Sequence, residues 1–202
     1  MNIFRTTLSL LLTAGTIALT TGCKTKATYT LQAGKAQLEA ANYAPELIEA
    51  VVGLQPIEQA DFERLIKSES PDIRYLLAAN QYLSTEQLEL LVNDEDETIR
   101  AKAGSHLVLN WAQASKLYKE GSRVINQSLA ANSSVAEDIL LAIYEEKNPG
   151  LIYFAYNPNC PRLIQQHIRD SQDYKAKHWL ESMKGVAAPT ITPIKKDTQN
   201  EA

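Results

Sequence analysis

Few residues in this chain have the types and spacing that chemistry requires. The soft ligands and nucleophiles amount to two cysteines, Cys23 and Cys160, and three histidines, His106, His167 and His178. A metal site needs several such groups at defined intervals, and neither a second nearby cysteine nor a spaced histidine pair accompanies Cys160. No motif sets a Ser, Cys or Asp beside any of the histidines, so a general base would lack its partner. The run Asp94-Glu95-Asp96-Glu97 suggests calcium, but it lacks the glycine and the distal glutamate of an EF-hand loop. It reads instead as a solvated turn whose charges favour the start of the next helix, with Asp96 and Arg100 four residues apart and able to pair there. No catalytic residue, metal ligand or cofactor is therefore expected. What remains is a set of arginines and tyrosines, Arg74, Tyr75, Arg100, Tyr153 and Tyr156, a composition typical of protein-binding hot spots. The competing reading has the arginines bridging neighbouring segments and the tyrosines packing on helix surfaces.

The elements that position these residues follow a period. Leu65, Leu91, Leu117 and Ile143 are each 26 residues apart, as are Ile73, Ile99, Ile125 and Leu151, and Ile57, Leu83, Leu109 and Val135. A repeat of this length signals units that bury their apolar faces only against their neighbours. Within the unit that starts at Leu65, Pro71 suits a first helical turn, and Ile73, Leu76 and Leu77 form an apolar stripe. Asn80 ends that helix, and its counterparts are His106, Asn132 and Asn157. Asparagine tolerates the left-handed conformation that closes many helices, which predicts a left-handed turn here. Ser84 or Thr85 caps a second helix with Leu88, Leu91 and Val92 inward. A small column, Ala78, Gly104, Ala130 and Ala155, lets helices approach closely.

No segment shows sustained strand alternation, so the expected class is all-α: an α-solenoid of about six short helical repeats of 26 residues, spanning 39–184. The first unit has Leu54 where the others have Asn or His, and Tyr174 and Trp179 close a last unit. Cys160 shares a column with Leu83, Leu109 and Val135 and reads as a small core residue. Trp111 and Trp179 read as core or cap residues.

The 202 residues carry 20 basic and 24 acidic side chains, a net charge of −4 that gives no electrostatic case for nucleic-acid binding. Residues 1–22 pair one positive charge, Arg5, with a mostly apolar run too short to span a bilayer comfortably, as in a processed leader. Residues 23–38 are polar and read as a tether. Residues 185–202 lack apolar periodicity and read as a disordered tail.

Thr20-Thr21-Gly22-Cys23 resembles the lipobox of bacterial lipoproteins, with the favoured leucine one place early at Leu19. The resemblance implies lipidation at Cys23, and Lys24 after it implies sorting to the outer membrane, with the domain on the periplasmic side. Asp72-Ile73-Arg74-Tyr75-Leu76-Leu77-Ala78-Ala79-Asn80, Thr98-Ile99-Arg100-Ala101-Lys102-Ala103 and Tyr156-Asn157-Pro158-Asn159-Cys160-Pro161 resemble the leucine-rich repeat variant family, an α-solenoid related in style to HEAT and armadillo arrays. That family implies a curved interaction surface and no catalytic residues. The expected function is an envelope-anchored, non-enzymatic lipoprotein that binds a protein or peptide, with the membrane engaged through its lipid. An immunity-type inhibitory lipoprotein is the alternative, and a cell-wall enzyme a more distant one.

Overall fold

The computed structural model describes residues 21–184, and every described element is helical. The leader over 1–22 falls outside the described residues except for Thr21 and Gly22, and the tail over 185–202 falls outside them entirely. Twelve α-helices follow one another: α1 (Thr21–Ala40), α2 (Pro45–Val52), α3 (Gln59–Leu65), α4 (Pro71–Ala79), α5 (Thr85–Val92), α6 (Glu97–Gly104), α7 (Trp111–Lys119), α8 (Arg123–Ala131), α9 (Glu137–Ala142), α10 (Leu151–Ala155), α11 (Arg162–Asp170) and α12 (Tyr174–Ser182). A single π turn, Ile143–Lys147, continues α9. None of the described helices is long and apolar enough to cross a membrane.

The chain divides into two compact units, one ending at Tyr82 and the other beginning at Leu83. In the first, α1 packs along α4 and against α2. The end of the stretch read as a tether, residues 31–38, is helix that packs here: Leu38 is fully buried, and a Cβ added to Gly34 would stand 2.6 Å from Leu76 Cδ1. Its polar composition hid the few small and apolar positions that face α4.

In the second unit, α6 packs on α8, α8 on α10, and α10 on α12, while α5, α7 and α9 make a parallel succession of contacts. The cores are the apolar columns of the sequence: Leu91, Ile99, Leu117, Ile125, Ile143, Leu83, Leu109 and Val135 are all buried. Gly104 serves close approach, since a Cβ there would meet Leu117 Cδ1 at 3.3 Å and Leu129 Cδ2 at 3.6 Å.

Local chemistry explains where helices start. Ser70 caps α4 with Pro71 in its first turn, and Ser122 caps α8. Ser84 and Gln87 form a reciprocal capping box on α5, repeated 26 residues later by Asn110 and Gln113 on α7. The helices α4, α6 and α8 begin 26 residues apart, as do α5, α7 and α9.

Candidate functional site

The arginines of the expected binding strip are committed to the backbone. Arg74 is only 6% exposed, and its Nη1 donates to the Ser68 carbonyl at 2.7 Å, six residues back. Arg100 repeats this, with Nη1 donating to the carbonyls of Asp94 at 2.7 Å and Glu95 at 2.8 Å. Its Nε also pairs with Glu120 at 2.9 Å, just beyond α7. Each guanidinium therefore closes the turn that feeds its own helix, and Arg100 ties that turn to the next one. The expected Asp96–Arg100 pair does not form, because Asp96 faces the other way and caps α6, accepting from Thr98 N at 2.7 Å.

The tyrosines divide similarly. Tyr75 is half-buried on α4 in the first unit. Tyr153 on α10 and Tyr156 just past its end are half-buried in the second, where the Tyr156 ring lies 4.7 Å from that of Trp179. The Tyr156 hydroxyl is enclosed without a hydrogen-bond partner, and burial, with the nearby Tyr153, pushes its pKa up to about 12. Arg74 and Tyr75 belong to one unit and Arg100, Tyr153 and Tyr156 to the other, so the five sequence-selected residues are not one described site.

The column of Asn80, His106, Asn132 and Asn157 is a set of buried stitches. Asn132 Nδ2 donates to the carbonyls of Gly104 and His106, both at 2.9 Å, and its Oδ1 accepts from Ser134 N at 2.9 Å. Asn157 does the same one unit on, donating to Ala130 O at 3.0 Å and Asn132 O at 2.9 Å while accepting from Asn159 N at 2.8 Å. Asn80 donates to Gln55 O at 2.7 Å and accepts from Tyr82 N. His106 keeps the accepting half of this pattern: its Nδ1 faces Val108 N at 3.3 Å, which places the proton of a neutral ring on Nε2. The left-handed expectation is corrected. Asn80 has φ −74° and ψ 119°, and Asn132 has φ −88° and ψ 120°, both extended. Asparagine stands here for its amide, which donates to the preceding turn and accepts from its own, and Leu54, in the same column, has the positive φ of 52°.

Cys160 is 5% exposed, and burial pushes its thiol up to about 12 against a smaller opposing influence from Arg169, which makes it a poor nucleophile. His167 is not isolated: its Nδ1 bonds the Tyr144 hydroxyl, and the two rings meet edge to face. Among the described residues, no group of three or more His, Cys, Asp or Glu side chains could hold a metal ion.

One residue that sequence reasoning misplaced, and two that it did not single out, are on the surface. Trp111, expected as a core or cap residue, is 57% exposed, and its Nε1 donates to Asp138 Oδ2 at 3.0 Å. Leu163, in the first turn of α11, is also 57% exposed, and Leu107 projects from the loop before α7. Asn159 Nδ2 bonds Ser133 O at 2.8 Å, so the loops at 133 and 159 lie side by side. The amide bonds thus join successive loops of the second unit, and Leu107, Trp111 and Leu163 are exposed in or just after those loops. The signal available in sequence was position: Trp111 opens a helix directly after its cap, Asn110, where side chains face solvent. No family model, curated protein or solved structure matches the chain.

Proposed function

We propose that this protein is an envelope lipoprotein, anchored through Cys23 to the outer membrane, whose α-solenoid of 26-residue helical units binds a protein or peptide. One observation carries the reading: side-chain amides recurring along the chain bond the turn of the preceding unit, as Asn157 does to Asn132 O and Asn132 to His106 O. Such nearest-neighbour stitching is how a linear array holds a long surface in fixed shape without a central core. Support comes also from the helix starts at intervals of 26 and from the exposed Trp111 and Leu163 just after the stitched loops. Exposed aromatic and aliphatic side chains on a rigid frame lose little conformational entropy on association. Lipid anchoring confines the array to one surface and raises its effective concentration for anything else held there.

Capture from envelope extract tests the binding role. The wild-type chain is expected to retain a discrete protein that a Trp111→Ala, Leu163→Ala variant retains at least several-fold less. Equal recovery by both, or nothing above background, overturns it. Palmitate labelling that persists in Cys23→Ala would overturn the anchor.

A further inference from the structure

In the first unit, an aromatic ring and a carboxylate together hold an arginine. The Arg64 guanidinium lies 4.8 Å from the centre of the Tyr43 ring, and its Nη2 donates to Asp61 Oδ1 at 2.6 Å. The ring attracts the cation through its π face, and the carboxylate adds a charge-assisted hydrogen bond. The second unit sets the same two kinds of partner together at the start of α7. Trp111 is 57% exposed, and its indole N–H donates to Asp138 Oδ2 at 3.0 Å. The donor lies in the ring plane, so this bond orients the indole and puts the carboxylate at its edge, leaving the ring faces to other contacts. The exposed Glu137 adjoins Asp138 in the first turn of α9. Among the described residues, neither carboxylate pairs with a cation, and no cation stands over Trp111. Lys116 of α7 turns the other way and bonds Asn93, just after α5.

We propose that Trp111, Glu137 and Asp138 bind an arginine side chain on a basic segment of the protein partner. This rests on the protein-binding reading above and states what the partner presents at this point. Indole is the best aromatic face for a cation. A planar guanidinium stacks on it while its fork of donors turns to the carboxylates at the ring's edge, and an ammonium has neither the plane nor the fork. The charge is complementary as well, since two acidic side chains flank one oriented ring.

The test uses the full chain and a defined probe, the peptide acetyl-Gly-Arg-Arg-Gly-amide. The chain has two tryptophans, so a nitrogen–proton correlation spectrum holds two indole signals, and the one that vanishes in Trp111→Phe belongs to Trp111. That signal should move to saturation as the arginine peptide is added. The citrulline peptide, of the same shape but uncharged, should need a concentration at least about tenfold higher. Glu137→Gln with Asp138→Asn should raise the Kd at least about fivefold, while Glu46→Gln with Glu49→Gln, the same charge change in the first unit, should leave it within about twofold. An unmoved Trp111 signal, equal movement with citrulline, or equal weakening by the two double variants overturns the proposal. Capture from envelope extract separates this inference from the reading beneath it. A protein lost by Trp111→Ala, Leu163→Ala but fully retained by Glu137→Gln, Asp138→Asn keeps the binding role and removes the arginine.

Discussion

At their carboxyl ends, α4, α6, α8 and α10 are followed by Asn80, His106, Asn132 and Asn157, each buried and each accepting from the backbone N–H two residues on. Their amino ends are built in two ways. The turns before α4 and α6 are closed by Arg74 and Arg100, which occupy carbonyls of the turn itself. In the same column α8 has Asn126 and α10 has Ile152, neither of which makes that bond. Those two turns contain the second unit's positive-φ glycines, Gly121 at φ 72° and Gly150 at φ 127°. The turn before α10 also carries the π turn, and α10 is reduced to five residues. A guanidinium satisfies turn carbonyls from outside and leaves the backbone ordinary. Without it, the backbone reaches the next helix through conformations open mainly to glycine.

The comparison breaks most visibly at the arginines. Arg74→Met should lower unfolding free energy by about 3 kcal/mol, because a part-buried carbonyl loses a charged donor, and Arg100→Met, at a more exposed site, by about 2 kcal/mol. Denaturant titration measures both, and Arg100→Lys should not restore the loss, since an ammonium cannot serve two carbonyls and Glu120 from one plane. An effect below about 0.5 kcal/mol for both would refute the clamp, being the size of an ordinary surface change.

The glycine turns should respond in proportion to their strain. Gly150→Ala is expected to cost about 2 kcal/mol, and Gly121→Ala, in the milder left-handed region, about 1 kcal/mol. A Cβ at Gly121 would meet only Lys147 Nζ, at 3.8 Å, so its cost is conformational. Equal costs at the two positions would contradict the assignment.

Asn126 sharpens the contrast with an opposite sign. It is 1% exposed, and neither amide atom has a hydrogen-bond partner. Asn126→Leu removes that desolvated amide at nearly constant volume and should raise stability by about 1 kcal/mol. A loss of stability would show that the amide is satisfied in solution.

The smallest effect at neutral pH belongs to the stitched ends. Cys160 shares its column with Val135, so Cys160→Val should change stability little at pH 7. Its thiol is neutral in the folded chain up to about 12, whereas the unfolded thiol ionises near its ordinary value of 9.0. Between those values the unfolded state releases its proton first, so the contribution of Cys160, complete below 9, is lost as pH rises toward 12. The variant should unfold less readily over that window, with Tyr156, pushed from 10.0 to about 12, supplying the loss that remains. Identical alkaline profiles would refute the thiol's part.

The all-helical class, the apolar columns, the capping role of Ser84 and the burial of Cys160 were legible because each depends on a residue's own type and its neighbours a turn away. The binding strip was not. Nothing in the spacing of Arg74 and Arg100 tells whether a long side chain points to solvent or folds back six residues onto a carbonyl. Trp111 was misread for a related reason, since aromatic type argues for burial while position after a cap argues for exposure, and only packing decides between them.

By itself, then, the sequence determined the all-helical class and which faces are apolar, because both are local properties of residues along one helix. The tertiary structure alone decided which polar groups are consumed in holding the fold. Hydrogen bonds such as Asn157 to Asn132 O and Arg100 to Glu120 join residues 25 and 20 positions apart, and their formation depends on where whole helices come to rest.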